Sequence, residues 1–315
     1  MADAPALALV IAGPTASGKS GLALALAEEF CGVVINADSM QVYDVLRVVT
    51  ARPSPEDEAR APHRLYGVLA PSVACSAALW RDMAAAEMVA AWDAGKLPIV
   101  VGGTGLYIRT LMQGISPVPD IPADVRDQAR TLLERLGNAA FHAELARRDP
   151  VMGGRLDAGN SQRLVRAWEV IEATGRSLAD WQAEPMEGAV PARWHSVALL
   201  PPRDWLYASC ERRFQWMVGH GALDEVRALL DLGLDPALPA MKALGVPELA
   251  SFLRSERPLA AAIAAANQAT RNYAKRQMTW FRHQLDASEV VSAQFSESLR
   301  AKIFANIRQF LLTKE

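Results

Sequence analysis

The chain has 315 residues, of which 51% are hydrophobic and 22% charged, and its formal net charge is −2. This composition is typical of a globular protein with a sizeable core, and it excludes disordered and fibrous chains. Charged residues interrupt every long apolar stretch, so no membrane-spanning helix is expected, and the balanced charge excludes an evenly basic protein while leaving a local basic face open.

Three cysteines, Cys31, Cys75 and Cys210, lie far apart in the sequence. They form no C-x-x-C pair, so neither a zinc site nor a disulfide framework is expected. A reducing cytoplasm is the simplest setting for such a chain. We expect a cytoplasmic monomer that needs no obligate protein partner.

A complete phosphate-binding loop (P-loop) stands near the start of the chain, where residues 13–20 read GPTASGKS. The apolar run Ala6–Ala12 predicts a buried strand before it, and Gly21–Glu29 predicts a helix after it. Backbone N–H groups at such a helix N-terminus bind anions, Lys19 adds a positive charge, and the Ser20 hydroxyl can ligate Mg²⁺. We predict a di- or triphosphate site made of Gly13, Pro14, Thr15, Ala16, Ser17, Gly18, Lys19 and Ser20.

The following segments alternate between strand and helix. Val33–Ile35 and Leu97–Val101 predict strands, and Ala77–Ala94 predicts a helix that stops at Gly95. This alternation is typical of a parallel sheet with ligands at the carboxyl ends of its strands. The predicted fold class is α/β, a P-loop NTPase-like parallel sheet flanked by helices.

The pattern changes after the first third of the chain. A proline-rich stretch at 116–122 precedes helical patterns at Ala123–Leu136, Ala139–Arg147 and Ser161–Thr174. His195–Leu200 predicts a strand that returns to the sheet, with helices from there to the end. The expected helix breakers are Gly137, Pro150, Gly153 and Gly154. The predicted domains are a P-loop core at 1–115, a mostly helical insertion at 116–190, and the return strand with C-terminal helices at 191–315.

Two polar residues follow predicted strands of the core: Asp38 after Val33–Ile35, and Thr104 after Leu97–Val101. P-loop hydrolases usually hold Mg²⁺ with an Asp at the second of these strand ends. That strand here ends in Gly-Gly-Thr-Gly, so the pattern indicates group transfer to an acceptor near Asp38. Both residues are also good helix or turn caps, and the sequence alone leaves that alternative open.

The C-terminal region carries a long helix, predicted at 259–284, with a basic second half. Residues 271–282 have four positive charges and no acid, interleaved with Tyr273, Trp280 and Phe281. Positive groups beside aromatic rings suit single-stranded RNA. Taken alone, the pattern favours an amphipathic helix with its rings in the core. A second basic stretch occurs at 162–166.

Together these segments resemble the tRNA dimethylallyltransferase family, also called tRNA isopentenyltransferases, over nearly the whole chain. The matching motifs are GPTASGKS at 13–20, DSMQVY at 38–43, TARP at 50–53, APHRL at 61–65, VGGTGLY at 101–107, NSQRLVRAWEV at 160–170, ERRF at 211–214 and AKRQMTWFR at 274–282. Their order is highly specific. The chain departs from the family pattern at Val49, Arg52 and Val246, where glycine, lysine and tyrosine are usual.

The resemblance implies transfer of a dimethylallyl group from dimethylallyl diphosphate to N6 of adenosine-37 in tRNA, with Mg²⁺ as the cofactor. Asp38 would accept a proton from the amine. Lys19, Thr104 and Arg213 would stabilise the departing diphosphate. By sequence alone, Arg212 is an equal candidate for the place of Arg213.

The resemblance also implies contacts with the tRNA anticodon stem-loop in three parts of the chain. The implied tRNA contacts are Asp38, Ser39, Met40, Gln41, Thr104, Arg126, Gln162, Arg163, Leu164, Val165, Arg166, Met241, Lys242, Gly245, Lys275, Arg276, Gln277, Thr279, Trp280 and Arg282. Eukaryotic relatives carry a C-terminal zinc finger, for which these cysteines do not suffice, so we expect a bacterial type.

A P-loop kinase acting on a small molecule or nucleoside is the main alternative. It accounts for residues 6–114 equally well, with Asp38 positioning an acceptor hydroxyl. It gives no role to the insertion or to residues 275–282. A non-catalytic RNA-binding protein with a nucleotide switch is a third hypothesis, and the placement of Asp38 and Thr104 over the P-loop argues against it.

Overall fold

The computed structural model describes residues 6–293 and 296–313. The strands are β1 Leu7–Ala12, β2 Gly32–Asn36, β3 His63–Arg64, β4 Leu97–Gly102, β5 Arg193–Leu199 and β6 Glu289–Val291. The helices are α1 Lys19–Glu29, α2 Pro55–Arg60, α3 Ala77–Asp93, α4 Gly105–Gln113, α5 Ala123–Arg148, α6 Pro150–Arg155, α7 Ser161–Thr174, α8 Leu178–Ala183, α9 Arg203–Gly219, α10 Ala222–Asp231, α11 Val246–Leu253, α12 Leu259–Gln284 and α13 Glu297–Leu312. Within the described ranges, no helix is both long and apolar enough to cross a bilayer.

The strands form one parallel sheet in the order β3-β2-β4-β1-β5-β6. In its centre, Leu9 of β1 pairs with Ile99 of β4 on one side and with His195 of β5 on the other. Because all the strands run in the same direction, their carboxyl ends meet at one edge. The P-loop follows β1 at that edge, while Asp38 and Thr104 follow β2 and β4. The predicted fold class is confirmed.

Alternate residues of the central strands pack into cores on opposite faces of the sheet. Leu9 and Ile11 of β1 lie in a core with α1 and α13. Ala8, Val10 and Ala12 lie in another core with α3, α9, α11 and α12. Since side chains alternate along a strand, burial on both faces requires a continuous apolar sequence, which is what β1 has.

The turn from β1 into α1 depends on Gly18. This residue caps the helix with a φ of 91°, in the left-handed region that costs a residue with a Cβ about 1–2 kcal/mol. Ala16, two residues earlier, also has a positive φ, of 62°. Residues held in such conformations cluster at ligand-binding loops. The local backbone of the P-loop is therefore that of an anion site.

The chain divides into two compact units, one formed by Met1–Met112 with Val190–Glu315 and the other by Gln113–Ala189. The second unit has a hydrophobic core of its own, in which Phe141 of α5 lies 6.3 Å from Trp168 of α7, centroid to centroid. Helix α5 is interrupted at Gly137, where φ is 71° and ψ is 166°. The sequence predicted a break at this residue.

Two local predictions differ from the structure. Gly153 and Gly154, expected to break a helix, lie inside α6. A Cβ on Gly153 would lie 2.4 Å from Ala146 Cα, so close packing accounts for that glycine. The sequence pattern does not predict β3 or β6. Strands of two and three residues are too short to show a periodicity. The prediction of a wholly helical region after β5 is therefore wrong, because β6 lies within it.

Candidate active site

A cavity of about 420 Å³ lies over the P-loop at the carboxyl edge of the sheet. We call it the P-loop cavity. Its lining includes the loop and first helical residues from Thr15 to Gly21, together with Asp38 and Arg213. Amide groups in the first turn of a helix have no partner within the helix, and they carry the positive end of its dipole. The cavity is therefore suited to a phosphate group.

Lys19 is partly buried beside this cavity, and its Nζ donates to the carbonyl of Pro14 at 3.3 Å. Burial lowers the pKa of Lys19 from 10.5 to about 8, against the attraction of Asp38, and the neighbouring charge of Arg213 lowers it further. A bound anion would favour the charged ammonium and reverse this change. The lysine is thus poised to gain a proton and an anionic partner together.

The structure distinguishes the two arginines of ERRF on α9. Arg213 borders the P-loop cavity, and its guanidinium donates to the Thr15 hydroxyl. Burial lowers the pKa of Arg213, while the nearby Cys210 and Asp38 raise it. Arg212 also borders the cavity, but it is exposed and donates to the Ser209 hydroxyl on its own helix. Arg213 is therefore the arginine placed to meet both the P-loop and its ligand.

A second cavity, of about 240 Å³, adjoins the first. We call it the apolar cavity, because Met40, Val49, Phe214, Met217 and Leu244 contribute to its lining. The residues that border both cavities are Thr15, Asp38, Thr50 and Arg213. A carboxylate and a guanidinium thus lie where a phosphate site meets a cavity that is partly hydrophobic and also bordered by Lys242 and Arg276.

Asp38 is positioned by the buried Asn36 at the end of β2. The Asn36 side chain accepts from the Asp38 N–H at 2.8 Å and donates to the carbonyls of Asp38 and Leu65, each at 3.0 Å. One carboxylate oxygen, Oδ1, accepts from the Met40 N–H at 3.0 Å, which is the turn-capping role left open by the sequence. The other oxygen, Oδ2, has no hydrogen-bond donor within the described part of the chain. Asp38 therefore caps a turn and still has an oxygen for a ligand.

Thr104 lies beside this segment and borders neither cavity. Its hydroxyl accepts from the Ser39 N–H at 3.0 Å and lies 3.3 Å from the Ser39 hydroxyl. Its backbone N–H donates to Ala37 at 3.1 Å, so Thr104 joins the ends of β2 and β4. The hydroxyl therefore supports the Asp38 segment. A direct contact with diphosphate stays a prediction.

Gln277, a predicted tRNA contact, is buried against two loops of the core. It is 5% exposed, and its side-chain amide accepts from the Thr15 N–H at 2.9 Å and donates to the Gly103 carbonyl at 2.8 Å. Trp280 is half-buried, and a Cβ on Gly105 would lie 2.2 Å from its ring. Both side chains therefore contact loops of the core, and the tRNA contacts expected from the resemblance stay predictions for both residues.

The other predicted residues of α12 form an exposed basic surface. We call it the outer face, and its members are Lys275, Arg276, Thr279 and Arg282. Within the described residues, none of its three cations forms an ion pair. Arg271, one turn earlier, is paired with Glu211 of α9. Unpaired cations on one helical face are suited to a polyanion.

The remaining residues predicted to contact tRNA in the first unit differ in exposure and in their local contacts. Gln41 donates to the carbonyls of Thr50 and Ala51 at 2.8 and 2.9 Å, so its amide supports the chain locally. Lys242 is exposed and borders the apolar cavity. Gly245 is buried as the cap of α11, with a φ of 92°. Ser39 and Met40 border the apolar cavity, and Met241 is half-buried.

In the second unit, some of the predicted tRNA contacts are exposed and others are not. Gln162 and Arg163 are exposed, as is Arg126 on α5. The side chain of Leu164 is fully buried in the core of this unit, and its tRNA contact stays a prediction. Val165 packs partly against the same core, and Arg166 forms an ion pair at 3.5 Å with Glu169, whose side chain is mostly buried.

Sequence reasoning missed most of the apolar cavity. Phe214 and Met217 follow Cys210 at four and seven residues on α9, so all three share one helical face with Arg213. Thr270, Tyr273 and Arg276 of α12 also line this cavity. Helical spacing from Arg213 would have found the first group. The second group requires knowledge of which helices pack together.

Comparison with known proteins agrees with this architecture. The family model described as IPP transferase matches residues 41–284, and that of Isopentenyl transferase matches residues 7–71. The tRNA dimethylallyltransferase of Paramagnetospirillum magneticum is 66% identical over 306 residues, covering 97% of each chain.

Solved structures show the same fold. A tRNA isopentenylpyrophosphate transferase from Bacillus halodurans is 30% identical, with a TM-score of 0.69 and 96% of each chain covered. A eukaryotic dimethylallyltransferase acting on tRNA has a TM-score of 0.81 at 24% identity, covering 98% of this chain and 81% of that one. The P-loop kinase alternative is not favoured. From its sequence relatives and its matched model, this chain belongs to the IPP transferase family.

Proposed function

We propose that this protein transfers a dimethylallyl group from dimethylallyl diphosphate to N6 of adenosine-37 in tRNA, releasing diphosphate. The observation that carries the proposal is the shared border between the P-loop cavity and the apolar cavity. An allylic diphosphate is charged at one end and apolar at the other. The reacting bond then lies where the two cavities meet, beside Asp38.

The leaving diphosphate belongs in the P-loop cavity. Lys19, Arg213 and the N–H groups of the first turn of α1 converge on it, and fixed positive groups stabilise the charge that develops as the C–O bond breaks. Such groups act most strongly where water is excluded. The partial burial of Lys19 and Arg213 supports this role.

The acceptor amine belongs near the free oxygen of Asp38. As N6 bonds to the allylic carbon, the C–O electron pair leaves with the diphosphate and one N6 proton must be removed. A carboxylate within hydrogen-bonding reach can accept that proton. The target base must leave its stack to reach the site, which costs less in an anticodon loop than in a duplex.

We propose Mg²⁺ as the cofactor, held by the Ser20 hydroxyl together with diphosphate oxygens. Ser20 and Asp38 both line the P-loop cavity, and their oxygens are the donors that Mg²⁺ prefers. Among the described residues there is no cluster of three or more His, Cys, Asp or Glu ligands. This fits an ion that takes few protein ligands and several from substrate phosphates. When bound, it would neutralise charge on the leaving diphosphate.

The outer face of α12 is the proposed contact for the anticodon stem-loop in the first unit, and the exposed residues of α7 are the proposed contact in the second. Their unpaired basic and amide groups are suited to phosphates and unstacked bases. Since the substrate is tRNA, we propose that the protein acts in the cytoplasm, as a monomer.

The test is a mass-spectrometric assay of an anticodon stem-loop incubated with the protein, Mg²⁺ and dimethylallyl diphosphate. We expect the mass of one dimethylallyl group added at adenosine-37, with release of diphosphate. A parallel reaction supplies ATP and candidate small acceptors instead. If the stem-loop is not modified in the first reaction and ATP is consumed in the parallel one, the result contradicts the proposal and favours a kinase.

A further inference from the structure

One side of helix α12 contacts the loops of the active site, and another side carries exposed cations. Tyr273, Gln277 and Trp280 follow each other at four and three residues, so they project from one side of the helix. Lys275, Thr279 and Arg282 of the outer face lie elsewhere around the same turns, while Arg276 lies between the two sides, over the Tyr273 ring and at the border of the apolar cavity. A ligand on the outer face therefore touches an element whose inner side is part of the active site.

The inner contacts reach the two loops that follow β1 and β4. Gln277 bonds the Thr15 N–H of the P-loop and the Gly103 carbonyl of the second loop through one side chain. An amide N–H can only donate and a carbonyl can only accept, so these partners fix the orientation of the Gln277 amide. A Cβ on Gly103 would lie 2.2 Å from Gln277 Nε2, so a glycine is required for this contact.

Thr15 is the point where these contacts meet the diphosphate site. Its N–H is held by Gln277, its hydroxyl accepts from Arg213, and its carbonyl lies 3.9 Å from Cys210 Sγ. It also borders both cavities. A shift of Gln277 would therefore move the loop and its arginine partner together.

The other inner residues reinforce this connection. Burial, followed by the charge of Asp38, raises the pKa of Tyr273, while hydrogen bonding to Thr104 and Gln277 opposes the rise. The Trp280 ring lies against Gly105. Tyr273, Gln277 and Trp280, on one side of α12, thus contact the P-loop or the loop after β4, which lie beside Asp38.

We propose that Gln277 is a positioning residue that couples RNA bound on the outer face of α12 to diphosphate bound in the P-loop. The inference rests on the proposed function of the outer face. RNA restricts the motion of α12, and the two bonds of Gln277 pass that restriction to Thr15 and Gly103. Diphosphate then binds to a loop that is already ordered. Because coupling between two ligands is reciprocal, diphosphate must tighten RNA binding by the same factor.

The test measures the affinity of inorganic diphosphate by calorimetry, with and without a saturating anticodon stem-loop. In the unaltered protein we expect the RNA to tighten diphosphate binding by about 5-fold or more, at the low end of typical coupling factors. Gln277→Met keeps the length of the side chain and removes both hydrogen bonds. It should reduce the coupling to below about 2-fold while each ligand still binds alone. The matched control is Gln284→Met, which changes an exposed glutamine of the same helix and should retain the coupling.

A second measurement does not depend on any variant folding. Hydrogen exchange of the P-loop peptide in the unaltered protein should slow when the stem-loop binds, since the Thr15 N–H is held more tightly. Two results would overturn this inference while leaving the proposed function standing. One is P-loop exchange that does not change when the stem-loop binds, and the other is a folded Gln277→Met protein with the same coupling as the unaltered protein. A stem-loop that is neither bound nor modified overturns the proposed function as well.

Discussion

Asp38 serves both the local backbone and the proposed chemistry. Its Oδ1 accepts from the Met40 N–H, while Oδ2 has no donor among the described residues and belongs to a carboxylate that borders both cavities. The two duties can be separated by substitution, because an asparagine side chain retains one acceptor oxygen and lacks the basic carboxylate.

We expect Asp38→Asn to lower the single-turnover rate of prenyl transfer by about 10²–10⁴-fold, the usual contribution of a general base. Stem-loop affinity and melting temperature should change little, because the cap on Met40 is kept. Asp44→Asn, at an exposed carboxylate of the same segment, is the control. A near-normal rate for the Asp38 variant would leave the residue with its turn-capping role alone.

Arg213→Ala and Arg212→Ala compare neighbouring arginines of one helix. Arg213 contacts Thr15 and borders both cavities, so its loss should weaken inorganic diphosphate binding by about 10- to 150-fold, the equivalent of about 1.5–3 kcal/mol for a charged hydrogen bond. Arg212 is exposed and bonded within its own helix, so its loss should cost much less. Titration calorimetry distinguishes them, and a larger defect at Arg212 would reverse the assignment.

Lys19 makes diphosphate binding depend on pH. Its pKa is lowered to about 8 in the free protein, and a bound anion raises it again, so above pH 8 each binding event takes up a proton. Once the protonation of free diphosphate itself is allowed for, log Kd should therefore be nearly flat below pH 8 and should rise above it, by up to about one unit per pH unit. Calorimetry between about pH 7 and 9.5 measures the slope. Lys19→Ala should bind weakly with no such rise, and a persistent rise would point to another group.

Among the structural elements, α12 carries Lys275 and Arg282 on one side and the side chains that contact the active-site loops on another, with Arg276 at the border of the apolar cavity between them. If the outer face meets RNA phosphates, log K for the stem-loop should fall linearly with log salt. Replacing Lys275, Arg276 or Arg282 by alanine should reduce the magnitude of that slope by roughly one unit for each phosphate contact. Arg271→Ala, at a cation already paired with Glu211, should leave the slope unchanged. Affinity independent of salt would contradict an RNA role for this face.

At the scale of the whole molecule, the two compact units have separate hydrophobic cores. Phe141 is fully buried in the second, so Phe141→Ala should destabilise the protein by about 3–5 kcal/mol through the cavity it leaves. Inorganic diphosphate should still bind normally, because the P-loop packs into different clusters. Urea unfolding and calorimetry measure the two effects. Val151→Ala, at a half-exposed position of the same unit, is the control, and a parallel loss of diphosphate affinity would contradict independent cores.

Features that depend on neighbouring residues along the chain could be predicted without the structure. The P-loop, the apolar strand β1 and the break at Gly137 follow from local spacing and backbone preference, and the structure has each of them. The alternation of strands and helices likewise predicted a parallel sheet, and with it the placing of Asp38 and Thr104 at the carboxyl edge.

Features that depend on contacts between distant segments could not be predicted in this way and required the folded structure. Gln277 is 262 residues from Thr15 in sequence, and a glutamine within a basic motif gives no local sign of burial. Arg212 and Arg213 differ by about 100° around one helix, and only the packing of α9 beside the P-loop separates them. The short edge strands β3 and β6 form because a sheet is already there to pair with. The local sequence pattern therefore predicts where candidate site residues occur. Long-range packing determines which of them line a ligand cavity and which position the others.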